Sequence, residues 1–461
     1  MASSFAPENR DRPHFSSRWK NEVCPHFLAS WRHLGALGFA LFWVLAASGI
    51  YLYIRFDTSV AGAYDSIGEL EWWFGGMLRS MHRYAADAFV VVVALHILRE
   101  LLAGRFRGFR AFTWISGVPL VWLLYASGIV GYWLVWDARA QFSAQATAEW
   151  LLALGIGAEP MARNFLGAES ITDRLFSLFV FLHIGLPLAL LAGMWVHVQR
   201  LGRPATVAPR ALAWGLVATL LALSLLAPVS SAARWDPAVV PQALPTDWFM
   251  LFLHPLMYAT SPGFLWLAVG GVTAALVALP YVARRPAAPV AMVDPANCNG
   301  CGRCVADCPY EAVIMVGKRA QVFDERCAAC GICAGACPSA TPFRSVAELA
   351  SGIDLPDLTV DDLRRQMQDA LPADELVFSC EGAHAGGIPL RCLGMLPPSF
   401  VEFALRNGAR RVRAIGCRDG ECAWRTGLEI SAERFAGTRD PHLRPNVHHV
   451  KQGDAHEFSL R

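Results

Sequence analysis

Six long apolar segments follow one another along the first 285 residues. They cover about 34–55, 84–104, 114–136, 175–199, 211–229 and 263–283. Each approaches the ~20 residues that a helix needs to cross a bilayer. The first begins about thirty residues into the chain and no small-residue cleavage site follows it, so we expect a membrane helix there rather than a signal peptide. The pattern predicts a mostly α chain, with a six-helix transmembrane bundle over residues 31–285 after an N-terminal segment at 1–30.

The pattern changes after residue 285. The stretch "RRPAAPVAMVDPA" is rich in proline and alanine and predicts a linker at 286–293. Beyond it the chain is charged and rich in cysteine. We therefore expect a soluble C-terminal region of about 175 residues.

Composition agrees with this division. Hydrophobic residues make up 54% of the 461 residues and charged residues only 17%, against about 25% charged in soluble domains. The net charge of +2 and the lack of a basic stripe give no reason to expect a nucleic-acid partner. Neither a G-x-G-x-x-G nor a P-loop motif occurs, so we do not expect the chain to take hydride from a nicotinamide by itself.

The loop charges predict an orientation. The loops after the second and fourth apolar segments are rich in arginine, whereas the loop at 56–78 has four acidic residues and no Lys or Arg. Positive loops stay in the cytoplasm. We therefore expect the N-terminus and the soluble region to lie on the cytoplasmic side of a bacterial or archaeal inner membrane.

Two apolar segments each carry two histidines fourteen residues apart. His82 and His96 lie in the second segment, and His183 and His197 in the fourth. Fourteen residues return a helical side chain to within ~40° of the same face and ~21 Å along the axis. A lone membrane histidine is often a hydrogen-bonding group between helices. Four at this period instead predict two bis-histidine haem sites at two depths.

Glycines repeat the same period in the first and third segments. Gly35 and Gly49 are fourteen residues apart, as are Gly117 and Gly131. Small residues allow close approach to a helix backbone. We expect these four positions to make room for a flat macrocycle.

The membrane region resembles cytochrome b of the quinol-oxidising cytochrome bc complexes, over about residues 25–285. The segment "GGMLRSMH" matches the family's Gly-x-x-x-Arg-x-x-His approach to the first ligand, and "HIGLPL" keeps its proline at Pro187. The resemblance implies one haem b on His82 and His183 near the outer face, and a second on His96 and His197 near the cytoplasm. It further implies that Arg79 holds a haem propionate, that a quinone is the substrate, and that the chain forms a homodimer.

The quinone segments depart from that family. Where its outer site reads Pro-Glu-Trp-Tyr, this chain has "LPTDWFMLF", with Asp247 and Trp248 as the candidate quinone-site residues. Asp247 accepts a quinol proton or caps a helix; the sequence leaves both open. Val135 and Asp137 replace the family's Pro and Gly around the outer pocket, and Gly202 replaces a cytoplasmic-side histidine.

The cysteines begin with a repeated motif. The segments "CNGCGRCVADCP" and "CAACGICAGACP" each follow the C-x2-C-x2-C-x3-C-P pattern of two-cluster ferredoxins, in which the fourth cysteine binds the other cluster. A zinc ribbon would use two C-x2-C pairs without the third and fourth cysteines. The pattern predicts one 4Fe–4S cluster on Cys298, Cys301, Cys304 and Cys337, and another on Cys327, Cys330, Cys333 and Cys308.

Four further cysteines follow, at Cys380, Cys392, Cys417 and Cys422. "ELVFSCEG" and "RRVRAIGC" are typical of short buried strands that end in a cysteine, with a helix at "PSFVEFALRNGA" between them. The region 375–428 resembles the delta subunit of methyl-viologen-reducing hydrogenases. The resemblance implies a 2Fe–2S cluster and docking onto a heterodisulfide-reductase-like flavoprotein. Zinc, or buried thiols without a metal, remain alternatives.

These parts predict a domain order and a function. After the linker we expect a two-cluster ferredoxin domain at 294–345, a linker or helical segment at 346–373, a small α/β iron–sulfur domain at 374–430 and a polar tail at 431–461. The leading hypothesis is an electron-transfer subunit between a cytoplasmic flavin- or molybdenum-containing oxidoreductase and the quinone pool. A self-contained quinone–ferredoxin oxidoreductase and a redox sensor are the alternatives.

Overall fold

The computed structural model describes most of the chain. The described residues are 31, 33–71, 73–102, 104–155, 171–199, 204, 206–234, 236, 247, 249–282, 289–383, 385–417, 424, 426–444, 447, 449–452 and 457–460. Several sequence predictions fall partly or wholly outside them. Among these are the segment at 1–30, Gly202, Trp248, residues 286–288 of the linker, and Cys422.

The membrane region is helical. Its helices are α1 (Leu34–Arg55), α2 (Ala63–Gly68), α3 (Trp73–Leu102), α4 (Ala111–Val135), α5 (Ala138–Leu152), α6 (Asp173–Val198), α7 (Arg210–Leu226), α8 (Leu253–Ala259) and α9 (Pro262–Val282). All six apolar segments fall on helices, at α1, α3, α4, α6, α7 and α9. The prediction of a mostly helical membrane region is confirmed.

Four of these helices are long and apolar enough to cross a bilayer, namely α1, α4, α6 and α9. Helix α7 is apolar but has only 17 residues. Helix α3 has 30 residues and carries charged side chains such as Arg79, Arg83 and Asp87. The count of six membrane spans therefore stays a prediction.

Helices α1 and α3 pack along one another, as do α4 and α6. Each pair thus joins a helix with two of the periodic glycines to a helix with two of the histidines. Phe89 on α3 and Leu190 on α6 are each seven residues from both histidines of their helix, and both are buried in one apolar cluster with Leu41, Phe42 and Leu124. An apolar layer therefore separates the two histidine depths.

The soluble region contains short helices and three small sheets. Its helices are α10 (Arg303–Ala306), α11 (Ile332–Ala336), α12 (Val360–Asp369), α13 (Pro398–Arg406) and α14 (Gly427–Phe435). Its strands are β1 (Met292–Val293), β2 (Val313–Val316), β3 (Arg319–Val322), β4 (Ile353–Asp354), β5 (Ala373–Cys380), β6 (Ile388–Leu390), β7 (Ala409–Ile415), β8 (His449–Gln452) and β9 (Glu457–Leu460). The pairs β1–β4 and β2–β3 are antiparallel, and the largest sheet has the order β6-β5-β7-β9-β8.

One hydrophobic core runs through the whole soluble region. It joins Val313 and Ala334 of the ferredoxin segment, Leu363 of the segment at 346–373, and Phe378 and Phe400 beyond it. The end of the expected linker is also structured, because β1 pairs with β4. The boundaries drawn from sequence thus divide a region that packs as one unit.

The prediction of a polar tail at 431–461 is wrong for its described residues. Helix α14 extends to Phe435, and β9 pairs with β7 in the main sheet. Phe458 and Leu460 are buried there, at 2% and 0% exposure. The alternation of Phe458, Ser459 and Leu460 is a strand signal that the surrounding polar residues concealed.

Candidate functional site

The four membrane histidines form two facing pairs between α3 and α6. The ring centroids of His82 and His183 are 6.3 Å apart, and those of His96 and His197 are 6.5 Å apart. Two imidazoles that hold one metal from opposite sides, with metal–nitrogen bonds of about 2 Å, have centroids about 6 Å apart. The paired rings therefore fit a shared iron at each depth.

Each periodic glycine lies against one of these rings. A Cβ placed on Gly131 would lie 2.8 Å from Cε1 of His183, and one on Gly117 would lie 3.0 Å from Cε1 of His197. For Gly49 and His82 the distance is 3.2 Å, whereas for Gly35 and His96 it is 3.8 Å. The glycines thus give room to the imidazoles. Their expected contact with a macrocycle stays a prediction.

Hydrogen bonds hold three of the four rings through Nδ1. The Ser48 hydroxyl lies 2.9 Å from Nδ1 of His82 and donates its own hydrogen to the carbonyl of Val44, so it accepts from the imidazole. Ser116 makes the equivalent contact with His197 at 3.2 Å. His183 donates Nδ1–H to the Ser127 carbonyl at 3.0 Å. In each case Nε2 is left to bind a metal.

His96 differs from the other three. Its Nδ1 is buried and has no hydrogen-bond partner among the residues that the structure describes. In the pair formed by His96 and His197, only the His197 ring is therefore held by a described hydrogen bond at Nδ1.

Arg79 is buried on α3, one turn before His82. Its guanidinium donates to the Ser231 hydroxyl at 2.7 Å, which ties α3 to the segment after α7. Binding of a haem propionate by Arg79 stays a prediction.

Asp247 is nine-tenths buried, and its two carboxylate oxygens have different partners. One oxygen accepts from the backbone N–H groups of Phe249 and Met250, before α8 begins, and acceptance of a quinol proton stays a prediction. The other accepts from the Tyr132 hydroxyl and pairs with Arg83. Arg83 also pairs with Asp87, four residues along α3. Two carboxylates, one guanidinium and one phenol thus meet beside the outer histidine pair.

Asp137 has a structural role in place of the family's glycine. Its side chain caps α5 by accepting from the N–H groups of Arg139 and Ala140, and it accepts from the N–H of Ala232 at 2.8 Å. This carboxylate therefore fixes the start of α5 against the segment after α7.

The first predicted cluster set is brought together. Cys298, Cys301, Cys304 and Cys337 line a single cavity, together with Gly300 and Gly302. Both glycines have positive φ, at 72° and 74°, which allows the loop to turn its sulfurs inward. Burial, followed by the neighbouring thiols, raises the pKa of Cys304 to about 11.

The second set also converges. Burial raises the pKa of Cys330 to about 12, and the thiols of Cys308 and Cys327 add to the effect. Cys333 is affected in the same way by burial and then by Cys330, Cys327 and Cys308, so its pKa lies well above the usual value. The Cys308 thiol thus lies close enough to the other motif to affect the pKa of two of its cysteines, and its role as a ligand of that motif's cluster stays a prediction. Four thiols in each set fit a cubane cluster, which binds thiolates.

The third set lies at one edge of the main sheet. Strand β5 is parallel to β6 and β7, and Cys380, Cys392 and Cys417 are buried at or just beyond their carboxyl ends. The sulfurs of Cys380 and Cys417 are 3.2 Å apart. The predicted strands and helix and three of the four cysteines are thus found, and binding of a metal by them stays a prediction.

The second and third cysteine sets are neighbours. Cys330 and Cys392 belong to one buried cluster with Ile332 and Ile430. Arg391, beside Cys392, donates to the carbonyl of Ala329, beside Cys330, at 3.3 Å. Packed side chains and one hydrogen bond therefore link the second and third cysteine sets.

Sequence reasoning missed several of these residues. Ser48 and Ser116 each precede a periodic glycine, so a Ser-Gly pair inside an apolar span is a signal that identifies them. Arg83 and Asp87 also had a signal, as charges four apart inside a membrane segment. Tyr132 had no separate signal, since its partner Asp247 lies 115 residues away.

Three family models match successive parts of the chain. Residues 19–203 match "Cytochrome b/b6/petB", residues 291–338 match the "4Fe-4S dicluster domain", and residues 383–441 match "Methyl-viologen-reducing hydrogenase, delta subunit". The three matches follow the order predicted from the sequence and confirm the fusion.

Curated relatives of the membrane region are cytochromes b6. The protein of Prochlorococcus marinus strain MIT 9515 is 30% identical over 167 residues, which are 36% of this chain and 77% of that protein. The protein of strain NATL1A is 30% identical over 152 residues, or 32% of this chain and 70% of its own length. A chain of a "Hyperthermophilic respiratory Complex III" structure is 20% identical, covers 58% of this chain and 78% of that chain, and has a TM-score of 0.46. This chain therefore belongs to the cytochrome b/b6 family, and the same polypeptide continues into a 4Fe–4S dicluster domain and a hydrogenase delta-subunit domain.

Proposed function

We propose that this membrane electron-transfer subunit connects a cytoplasmic oxidoreductase partner to the quinone pool. Its carriers are one 2Fe–2S cluster, two 4Fe–4S clusters and two haems b. The observation that carries the proposal is the pair of facing imidazoles at each of two depths, at 6.3 and 6.5 Å. An electron that enters the membrane between α3 and α6 then has two sites in series.

The soluble region supports an ordered path. The proposed site of Cys380, Cys392, Cys417 and Cys422 adjoins the second cysteine set, since Cys330 and Cys392 belong to one buried cluster. Cys304 and Cys333 of the first and second sets belong to one core. The proposed order is therefore 2Fe–2S site, second cluster and first cluster, with His96 and His197 as the next acceptor on the expected cytoplasmic side.

The outer quinone site is proposed beside His82 and His183. Asp247, with Trp248, supplies the quinone-site residues, and the Tyr132 hydroxyl bonded to Asp247 offers a path for a quinol proton. Arg83 holds the Asp247 carboxylate in place on the face of α3 that also carries Asp87.

The partner supplies the two-electron chemistry. The chain has no nucleotide motif, so a flavin- or molybdenum-containing subunit, heterodisulfide-reductase-like or similar, is expected to dock on the delta-subunit domain. We further propose that the protein lies in the inner membrane with its iron–sulfur domains in the cytoplasm, as its arginine-rich loops indicate. The homodimer of cytochrome bc complexes is the proposed assembly.

The first experiment is affinity purification of the tagged full chain from native membranes, with identification of the bound subunits. Recovery of a flavoprotein or molybdoenzyme in constant ratio supports the proposal. Turnover of a soluble two-electron substrate with quinone by the chain alone would remove the need for such a subunit and overturn this assignment.

A quinone–ferredoxin oxidoreductase is the second candidate, and one observation favours it. Cys301 is exposed at the first cluster set, so a free ferredoxin can approach that cluster directly. Purified chain in nanodiscs should then exchange electrons between reduced ferredoxin and a quinone analogue without another subunit. Absence of that exchange, with all clusters present, rules this candidate out.

A further inference from the structure

One arginine is enclosed between the second and third cysteine sets. Arg434 on α14 is 0% exposed, which is rare for a charged side chain. Burial lowers the pKa of Arg434, yet an arginine keeps its charge under such conditions. Its position therefore places a fixed cation inside the soluble core.

The contacts of Arg434 reach both iron–sulfur sites. One terminal nitrogen donates to the Gly394 carbonyl at 2.7 Å, two residues beyond Cys392. The other donates to the Asp307 carboxylate at 2.5 Å, beside Cys308, and to the Ile332 carbonyl at 3.3 Å, beside Cys333. A single guanidinium thus joins segments that hold predicted ligands of two different clusters.

The surrounding backbone is shaped for this side chain. A Cβ on Gly335 would lie 2.7 Å from the Arg434 guanidinium and 2.2 Å from the Gly394 carbonyl. Asp307 is also buried, and Arg439 approaches its other oxygen at 3.3 Å. Two guanidinium groups thus surround one buried carboxylate, and Glu433 pairs with Arg439 at the more exposed edge, which leaves Arg434 as the fully buried cation of the group.

We propose that Arg434 is a positioning residue for electron transfer, which raises the reduction potentials of both adjacent iron–sulfur centres and keeps the two centres in contact. Each centre gains one negative charge when it takes up one electron. A fixed buried cation stabilises that reduced form, since the net charge around a cluster and its burial set its potential. Because Arg434 contacts segments of both sites, it raises both potentials together and leaves the difference between them little changed. This inference rests on the proposed function.

The test is a redox titration of the purified full chain, followed by electron paramagnetic resonance of each cluster. Arg434→Gln should shift the potentials of the 2Fe–2S centre and of the Cys308, Cys327, Cys330 and Cys333 centre downward. Asp307→Asn removes the opposite charge and should shift the latter centre upward. Arg434→Lys keeps the charge and should stay close to the wild-type values.

A matched control comes from Arg364 in the same core. Arg364 is 6% exposed, pairs with Asp361 and donates to the Val346 and Ala347 carbonyls, away from the cysteines. Arg364→Gln should lower the thermal unfolding temperature and leave all potentials unchanged.

Two results overturn the inference. One is unchanged potentials in Arg434→Gln with both signals intact, and the other is a shift of the same sign in Arg434→Gln and Asp307→Asn, which a purely structural role would produce. If Arg434→Gln does not fold, Asp307→Asn decides: an upward shift with Arg434→Lys at the wild-type potential supports the inference, and a downward shift or no shift overturns it. A wild-type chain without any 4Fe–4S signal would instead overturn the proposed function itself.

Discussion

The membrane half and the soluble half bring the predicted ligands of one metal site together in opposite ways. In the membrane, His82 and His183 are 101 positions apart and lie on separate helices, so their meeting depends on how α3 and α6 pack. In the soluble half, three ligands of each set come from one short loop, and only Cys308 and Cys337 cross over. The membrane arrangement depends on the regular period of an α-helix, whereas the soluble arrangement depends on tight turns that pack on a shared core.

This difference predicts where each half is fragile. The membrane sites depend on space at helix contacts, since a glycine lies against every ligand ring. The cluster sites depend on the identity of the sulfur ligands and on turn glycines with positive φ. The predictions below separate the two kinds of dependence.

Loss of a histidine should give the largest effect. His183→Ala should abolish the outer haem signal in reduced-minus-oxidised spectra, because no second imidazole replaces the lost axial ligand, while the iron–sulfur signals persist. His254→Gln is the matched control. His254 is also buried in the membrane half but bonds to Thr147, and its variant should keep both haems. Retention of both haem signals in His183→Ala would contradict the proposed pairing.

Loss of a buried cysteine ligand should remove an iron–sulfur signal and keep the haem signals, which is the reverse of the result expected for His183→Ala. Cys333→Ser should remove the electron paramagnetic resonance signal of one 4Fe–4S cluster and leave the haem spectrum unchanged, since a hydroxyl is a poor substitute for a thiolate ligand. The matched variant is Cys304→Ser, which should remove the signal of the other cluster instead. Loss of the same signal in both variants would show that the two motifs do not hold separate clusters.

Addition of one methyl group should distinguish the glycines. Gly131→Ala would place a Cβ 2.8 Å from the His183 ring, so the ring must move and we expect at least half of the outer haem to be lost, on the order of a few-fold change in occupancy. Gly35→Ala would place its Cβ 3.8 Å from His96, an ordinary contact, and should bind both haems as wild type does. The measurement is haem content per chain, and equal content in the two variants would contradict the packing explanation.

Asp354 should give the smallest effect. Burial raises the pKa of Asp354 from 3.8 to about 6. The folded state then binds the proton more tightly than the unfolded state, so this contribution to stability is present below pH 4 and is lost as pH rises through about 6. Asp354→Asn should therefore gain on the wild type in unfolding temperature between pH 4 and pH 7. A constant difference across that range would exclude this titration.

Much of the site could be predicted because its signals are periodic or contiguous. Fourteen residues return a side chain to nearly the same face of any helix, so the spacing of His82 and His96 could be interpreted from the sequence alone. Each copy of the cysteine motif lies within twelve consecutive residues. The strands that end at Cys380 and just before Cys417 could also be predicted, since each combines apolar positions with a cysteine at or just after its end.

The rest depends on contacts between segments far apart in the chain. Arg434 lies in an ordinary amphipathic helix, and nothing near it in sequence reveals that Asp307, 127 residues away, is its partner. The strand at Phe458 was hidden for the same reason, because its partner β7 ends more than forty residues earlier. The Arg434–Asp307 contact and the pairing of the strand at Phe458 both form only in the folded chain, so the sequence alone did not predict them.

The most direct test of the central claim is rapid mixing of the fully reduced chain in nanodiscs with a quinone analogue. Cluster oxidation is followed by electron paramagnetic resonance and haem oxidation by absorbance, in the wild type and in His96→Ala. We predict that the clusters of the wild type become oxidised together with the haems, and that the clusters of His96→Ala stay reduced. Cluster oxidation at the wild-type rate in His96→Ala would show that electrons reach quinone without the membrane histidines.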